Sequence, residues 1–214
     1  MATPPAARAK IEAGARAESN PEGAMRTALL LMDFQRDVVA LTASGGSGSA
    51  VQRAAVALAA ARRQSMPVIF VQVAYRHRHV DVAASNKRAA VLKKKGMLEE
   101  GRSGTELVAE LQPAPGEPVV TKRRVSALAY TDLPPLLRAL RVDKLVLAGV
   151  ATSGVVLSTV RQAADSDYHL WVLQDACADA DAGLHDMLMT KVLPTQADVL
   201  SVDEFVARLG GARS

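Results

Sequence analysis

Residues 145–160 read LVLAGVATSGVVLSTV, and this stretch decides the fold. The apolar run from Leu145 to Ala148 has the length and unbroken hydrophobicity of a buried strand, and from Gly154 onward the apolar residues recur with helical period. Between the two, Ala151-Thr152-Ser153-Gly154 forms a tight turn. A strand, a turn and a helix start in succession present backbone N–H groups and one exposed side chain to whatever lies above the sheet. Where a nucleophile would stand, this chain has Val155.

The same rhythm continues on both sides. Strand-length apolar runs occur at 27–32, 67–74, 118–121, 144–150, 169–174 and 197–202, separated by helix-like stretches at 50–65, 131–140, 154–165, 182–192 and 202–209. Strands that lack polar alternation and take turns with helices imply a mainly parallel sheet covered on both faces. With right-handed crossovers, the expected fold is an α/β, three-layer α/β/α sandwich around a six-stranded sheet, Rossmann-like in outline.

A length of 214 residues suits one such domain. Residues 26–214 are expected to carry it, and residues 1–25, rich in Ala, Pro, Gly, Glu and Arg, read as a mobile or loosely docked extension. Aromatic residues make up only 3% of the chain, so the core must be built from Ala, Val and Leu. The formal charge of +4 comes from basic residues scattered over several segments, without a basic stripe interleaved with aromatics, which argues against a nucleic-acid partner. The single cysteine, Cys177, excludes an internal disulfide and a multi-cysteine zinc site and fits a reducing, cytoplasmic setting. The extension has no hydrophobic signal region and the apolar runs are strand-length, so neither export nor a membrane is expected.

Two segments interrupt the pattern. TASGGSGSA from Thr42 reads as a surface connector; it lacks the Lys-Ser/Thr pair of a phosphate-binding loop, and no GxGxxG follows the first strand, which weighs against a nucleotide-binding protein or dehydrogenase. The stretch from His77 to Gly104, basic around LKKKG, is long for a crossover. Segments of that kind serve as lids or subunit contacts, here with Leu92, Met97 and Leu98 as exposed contact residues.

In open parallel sheets, ligands bind beyond the carboxyl ends of the strands. The first strand runs ALLLM into Asp33, with Gln35 two positions on; taken alone, Asp33 reads equally as a helix cap or turn carboxylate. The third runs PVVT into Lys122, which alone reads as a solvated loop charge. The fourth runs into the 151–154 turn, where Thr152 or Ser153 would cap the helix and Gly154 would relieve the bend. Together the three ends bring an acid/base, a cation and an anion hole of backbone N–H groups to one point.

The motifs LLLMDFQRD, VVTKRRVSAL, LVLAGVATSGVVLSTVRQAADSDY and VLQDACAD, in that order, resemble those of the isochorismatase-like superfamily, also called the cysteine hydrolases. The resemblance spans about residues 26–209 and implies an isochorismatase-like fold. It implies Asp33 as general acid or base, Lys122 as the residue that orients it and stabilises negative charge, a non-proline cis peptide at Val150-Ala151, and an oxyanion hole from the N–H groups of Ala151 and Val155. The family's amidases have a cysteine in TSGCV or TDVCV, and alignment through Thr152, Ser153 and Gly154 places it at Val155. A valine cannot attack a carbonyl, so the thioester route is closed. The isochorismatases also lack the cysteine and share the Asp-x-Gln pairing of Asp33 and Gln35.

The resulting expectation is a hydrolase of a small cytosolic metabolite, a vinyl ether, enol derivative or amide. Water is the nucleophile, and Gln35, Ser153 and Gly154 position substrate or water. The alternative is a catalytically silent member that binds a ligand or serves as an oligomer subunit. Ser153 is a weaker stand-in nucleophile, since a hydroxyl needs a base within reach. Cys177 reads as a packed, inert thiol. His77 and His79 fall in the region of the amidase metal site, but the paired ligand motif is not legible, so they read as part of a basic loop tip and neither metal nor cofactor is expected. The family also implies a homodimer or homotetramer.

Overall fold

The computed structural model describes residues 25–211; apart from Met25, the N-terminal extension lies outside the described residues. Six strands, β1 (Thr27–Met32), β2 (Val68–Val73), β3 (Val119–Lys122), β4 (Lys144–Val150), β5 (His169–Ala178) and β6 (Asp198–Leu200), form one sheet in the order β3-β2-β1-β4-β5-β6 with every neighbouring pair parallel. The seven α-helices among the described residues are α1 (Arg36–Leu41), α2 (Ser47–Arg63), α3 (Lys87–Lys95), α4 (Leu133–Ala139), α5 (Leu157–Ala164), α6 (Ala182–Met187) and α7 (Val202–Gly211). The expected three-layer sandwich is the observed one.

Strand β1 shows how the layers are held. Successive side chains of a strand point to opposite faces. Leu29 and Leu31 join a core with Ala50, Ala54, Ala57 and Ala61 of α2 and Phe205 of α7, whereas Leu30 and Met32 join a second core with Leu133 and Leu137 of α4 and Val160 and Ala163 of α5. Both faces are therefore dry, and Ala28 to Met32 have no exposed surface. The alanines along α2 present small side chains to the sheet, which is how a chain poor in aromatics fills its core. All three phenylalanines, Phe34, Phe70 and Phe205, are fully buried.

Because all strands run the same way, their carboxyl ends share one edge. Met32 is in register with Gly149, and Val73 with Lys122. This brings the residues after β1, at the end of β3 and after β4 to one level. Gly149 is required where β1 and β4 pass closely: a β-carbon there would lie 2.7 Å from the Met32 carbonyl oxygen.

Several local expectations are corrected. The Gly/Ser segment from Thr42 is largely exposed, as expected, but is more than a connector: α2 begins inside it at Ser47, Thr42 and Ser47 are buried, and the Ser44 hydroxyl donates to the Ala180 carbonyl at 3.1 Å. A β-carbon at Gly45 would lie 1.5 Å from the Asp179 carbonyl oxygen, so this loop docks on the end of β5 through a glycine that nothing larger can replace. Leu92, Met97 and Leu98 are not an exposed contact surface either. Leu98 is buried, and Leu92 and Met97 pack partly buried against the core, because α3 turns Ala89 and Leu92 inward and its lysines outward. Helices α1 and α3 were not anticipated: α1 is six residues long, and the charged KRAAVLKKK run hides its apolar face. The expected helix at 154–165 begins only at Leu157, and the one at 182–192 gives way after Met187 to a wider turn.

Gly45→Ala should lose about 1–3 kcal/mol from overpacking against Asp179. Gly48→Ala, in the same segment but on open helix surface, should gain up to about 1 kcal/mol from helix propensity. Urea unfolding of the two variants beside the parent checks the contrast; equal midpoints would show that the loop does not dock as described.

Candidate active site

Asp33 follows β1 directly and is held in the left-handed backbone region, at φ 58°, a conformation uncommon outside glycine and concentrated at functional sites. Its N–H donates to the Val71 carbonyl at 2.8 Å, which ties the residue to β2. Lys122, the last residue of β3, reaches across that strand end so that its Nζ lies 2.9 Å from Asp33 Oδ2, and both side chains are buried. The ammonium also donates to the Arg124 carbonyl at 3.1 Å. The solvated-charge reading of Lys122 therefore gives way to a buried ion pair.

The two oxygens of Asp33 differ. Oδ2 is engaged by Lys122, while Oδ1 is buried with no hydrogen-bond partner among the described residues. Burial raises the Asp33 carboxyl above its ordinary value, opposed by the charge and hydrogen bond of Lys122 and by the charge of Arg88. A carboxyl so placed can take up and release a proton nearer to neutrality than a surface aspartate.

The turn after β4 completes the arrangement. The peptide Val150-Ala151 is cis. The Ala151 carbonyl accepts from the N–H groups of Gly154 and Val156, at 3.1 and 3.4 Å, and is bypassed by Val155 between them. Behind the turn, the Ser153 N–H donates to Asp179 Oδ2 at 2.7 Å, and Thr152 Oγ1 and His185 Nδ1 share a hydrogen bond at 2.8 Å. Burial holds the His185 imidazole below its usual pKa. Sequence reading passed over Asp179 and His185, although Asp179 closes the VLQDACAD motif and stands just past the end of β5, where the strand-end rule would have found it.

Asp33, Lys122, Ala151 and Val155 line one cavity of about 80 Å³, together with Thr42, Tyr75, Asn86, Arg88 and Arg124 and an apolar wall that includes Val38, Leu41, Leu92 and Leu98. A volume of that size admits water and a small ligand group, so Val155 does not close the space above the turn. Neither Gln35, Ser153 nor Gly154 lines it. Gln35 is fully buried behind β1, its Nε2 donating to the Val73 and Thr105 carbonyls and its Oε1 accepting from the Val73 N–H, all within 2.8 Å. Its amide is spent on joining β2 to the 105 loop, which corrects its expected role toward substrate. Gly154 acts indirectly, since a β-carbon there would lie 3.3 Å from Arg88 Nη2.

The other reactive side chains are engaged elsewhere. Cys177 is buried outside the cavity lining, and burial pushes its thiol up to about 12. Of the two histidines, His77 is exposed, as expected of a loop tip, with its Nδ1 2.6 Å from Glu99, whereas His79 is buried and contacts Glu99 and the Met97 carbonyl. The two histidines staple the 77–99 loop.

An isochorismatase domain profile matches residues 27–204 of the chain. The chain belongs to the isochorismatase family. Among family relatives, it is 31% identical over 178 residues to the ureidoacrylate amidohydrolase RutB of Pantoea ananatis, covering 72% of this chain and 70% of that one. It is 28% identical over 188 residues to the maleamate amidohydrolase of Pseudomonas putida, covering 86% and 87%. A cysteine hydrolase structure from Pseudomonas syringae superposes with a TM-score of 0.81 at 23% identity, over 91% of this chain and 97% of that one, which shows the common fold. In this isochorismatase-family chain no helix among the described residues is long and apolar enough to cross a membrane.

Since burial raises the Asp33 pKa, the folded state binds more protons than the unfolded one above the ordinary value of 3.8, and this residue's contribution to stability falls as pH rises through its folded pKa. Lys122→Met should magnify that trend. The variant should be about 3–5 kcal/mol less stable than the parent where Asp33 is ionised, because it strands a buried charge, and the deficit should shrink as acid protonates Asp33. Denaturant titrations across the acid-to-neutral range measure it; a deficit independent of pH would separate the loss from Asp33.

Proposed function

We propose that the protein hydrolyses a small amide without a covalent thioester, using water as the nucleophile and Asp33 as the proton carrier. The observation that carries this reading is the open cavity above a turn that bears Val155, beside an Asp33 whose Oδ1 is unpartnered and whose Oδ2 is held by Lys122. Amide substrates are favoured over vinyl ethers and enol derivatives by the amidohydrolases of ureidoacrylate and maleamate among the relatives.

In this mechanism water adds to the amide carbon while Asp33 accepts its proton, and the carbonyl oxygen becomes an oxyanion facing the Ala151 and Val155 N–H groups. Asp33 then returns the proton to the leaving nitrogen as the C–N bond breaks, giving a carboxylic acid and an amine or ammonia. Lys122 stabilises the carboxylate before the first transfer and after the second, and a pKa raised toward neutrality suits a group that must first accept and then donate. The desolvation of an ion pair with no role would be a standing cost, which weighs against a silent ligand-binding subunit.

Asp33→Asn should lower turnover of an amide substrate by roughly 10²-fold or more, whereas Cys177→Ala should retain it and the parent should resist iodoacetamide. The acidic limb of the kcat/KM profile should lie above the ordinary aspartate range. Inactivation by thiol alkylation, or undiminished turnover in Asp33→Asn, would defeat the mechanism.

A further inference from the structure

We propose that the cavity selects a small carboxylate-bearing substrate, with Arg88 and Arg124 as the specificity-determining cations. Asp33 and Lys122 neutralise each other, which leaves these two arginines as the net charge of the cavity lining. Neither has a carboxylate within ion-pair distance among the described residues, while the arginines around them do. Arg76 pairs with Asp81, Arg102 with Glu99, and Arg123, next to Arg124 in sequence, with both Asp81 and Glu100. The acidic groups of this surface are thus committed to arginines outside the cavity, and the two inside it have no ion-pair partner among the described residues, Arg124 Nη1 donating only to the Arg123 carbonyl at 2.7 Å.

Their placement brackets the reacting point. Arg88 rises from α3, which is capped by Asn86 accepting from the Ala89 N–H and anchored by buried Ala89. Its Nη2 would meet any β-carbon at Gly154 at 3.3 Å, so glycine at that position lets the guanidinium rest on the turn carrying Ala151 and Val155. Arg124 is fixed from the other side, its carbonyl accepting the Lys122 ammonium. Both arginine side chains belong to exposed residues at the rim, while Asp33 and Lys122 are buried. A guanidinium fork matches a carboxylate with two parallel hydrogen bonds, and between apolar walls such a pair is less screened than in water. The ligand that satisfies all these groups is short: a carboxylate at the rim, a few carbons along Val38, Leu41, Leu92 and Leu98, and the hydrolysable group at Asp33. The assignment of that inner group rests on the hydrolase reading; the anion selectivity does not.

The test compares succinate with uncharged succinamide by calorimetric titration, and succinamate with succinamide as hydrolytic substrates, in the parent, Arg88→Gln, Arg124→Gln and Asp33→Asn. Arg76→Gln is the control for an exposed arginine already paired outside the cavity. Succinate should bind and succinamide should not. Arg88→Gln and Arg124→Gln should each weaken succinate, and raise KM for succinamate, by roughly 10- to 100-fold, with little effect on succinamide and none from Arg76→Gln. Asp33→Asn should keep succinate binding and lose turnover. Equal affinity for succinate and succinamide, or succinate binding indifferent to both arginine variants, overturns the proposal even if amides are hydrolysed. Arginine-dependent succinate binding without turnover of any amide upholds it and overturns the hydrolase reading instead.

Discussion

The rest of the site depends on one buried contact, the 2.9 Å pair between Asp33 and Lys122. Removing two charges from water costs several kcal/mol per ion, and their mutual attraction compensates only when the geometry is good. Here the geometry is set by strands rather than by loops. Asp33 continues β1, Lys122 ends β3, and β2 lies between them with Val73 in register with Lys122. An antiparallel neighbour, or a register one residue off, would turn Lys122 to the other face of the sheet. The parallel sheet is thus the condition for the pair, and the pair leaves one carboxylate oxygen bound and the other bare.

The turn after β4 shows the same division between frame and chemistry. Its backbone is supported from behind by Asp179 and by the Thr152–His185 contact, and Gly45 allows the α2 loop to lie directly on the Asp179 backbone. These contacts hold Thr152 and Ser153 of the turn and involve no side-chain atom of Val155. Val155 fills its place in the core on one side and lines the cavity on the other. The chain's cysteine lies on β5, where burial favours the neutral thiol over the nucleophilic thiolate.

Around this centre the protein spends its surface acids unevenly. Glu99 gathers His77, His79 and Arg102, and Asp81 gathers Arg76 and Arg123. These pairings lie along the 77–104 segment, in which α3 supplies Arg88 and Leu92 to the cavity and Leu98 is buried. The uncompensated arginines of the cavity are the complement of that economy, and they give an otherwise apolar pocket a preferred sign of charge.

Read alone, the sequence determined the sheet, because unbroken apolar runs such as ALLLM and LVLAGV are tolerated only in strands buried on both faces. It determined that Asp33, Lys122 and the 151–155 turn would meet, because parallel strands end at a common edge. Tertiary structure decided everything that depends on which way a polar side chain turns. Gln35, two residues from Asp33, points behind the strand and binds β2, whereas Arg88, in a stretch that reads as a solvated basic run, rests on the 151–154 turn at Gly154. Leu98 is buried in the core beside Glu99, which pairs with His77 and His79 about twenty positions earlier. Periodicity records the average burial of a segment against its nearest neighbours; the direction of a single charge or amide is set by partners brought together from distant parts of the chain, and only the assembled sheet supplies them.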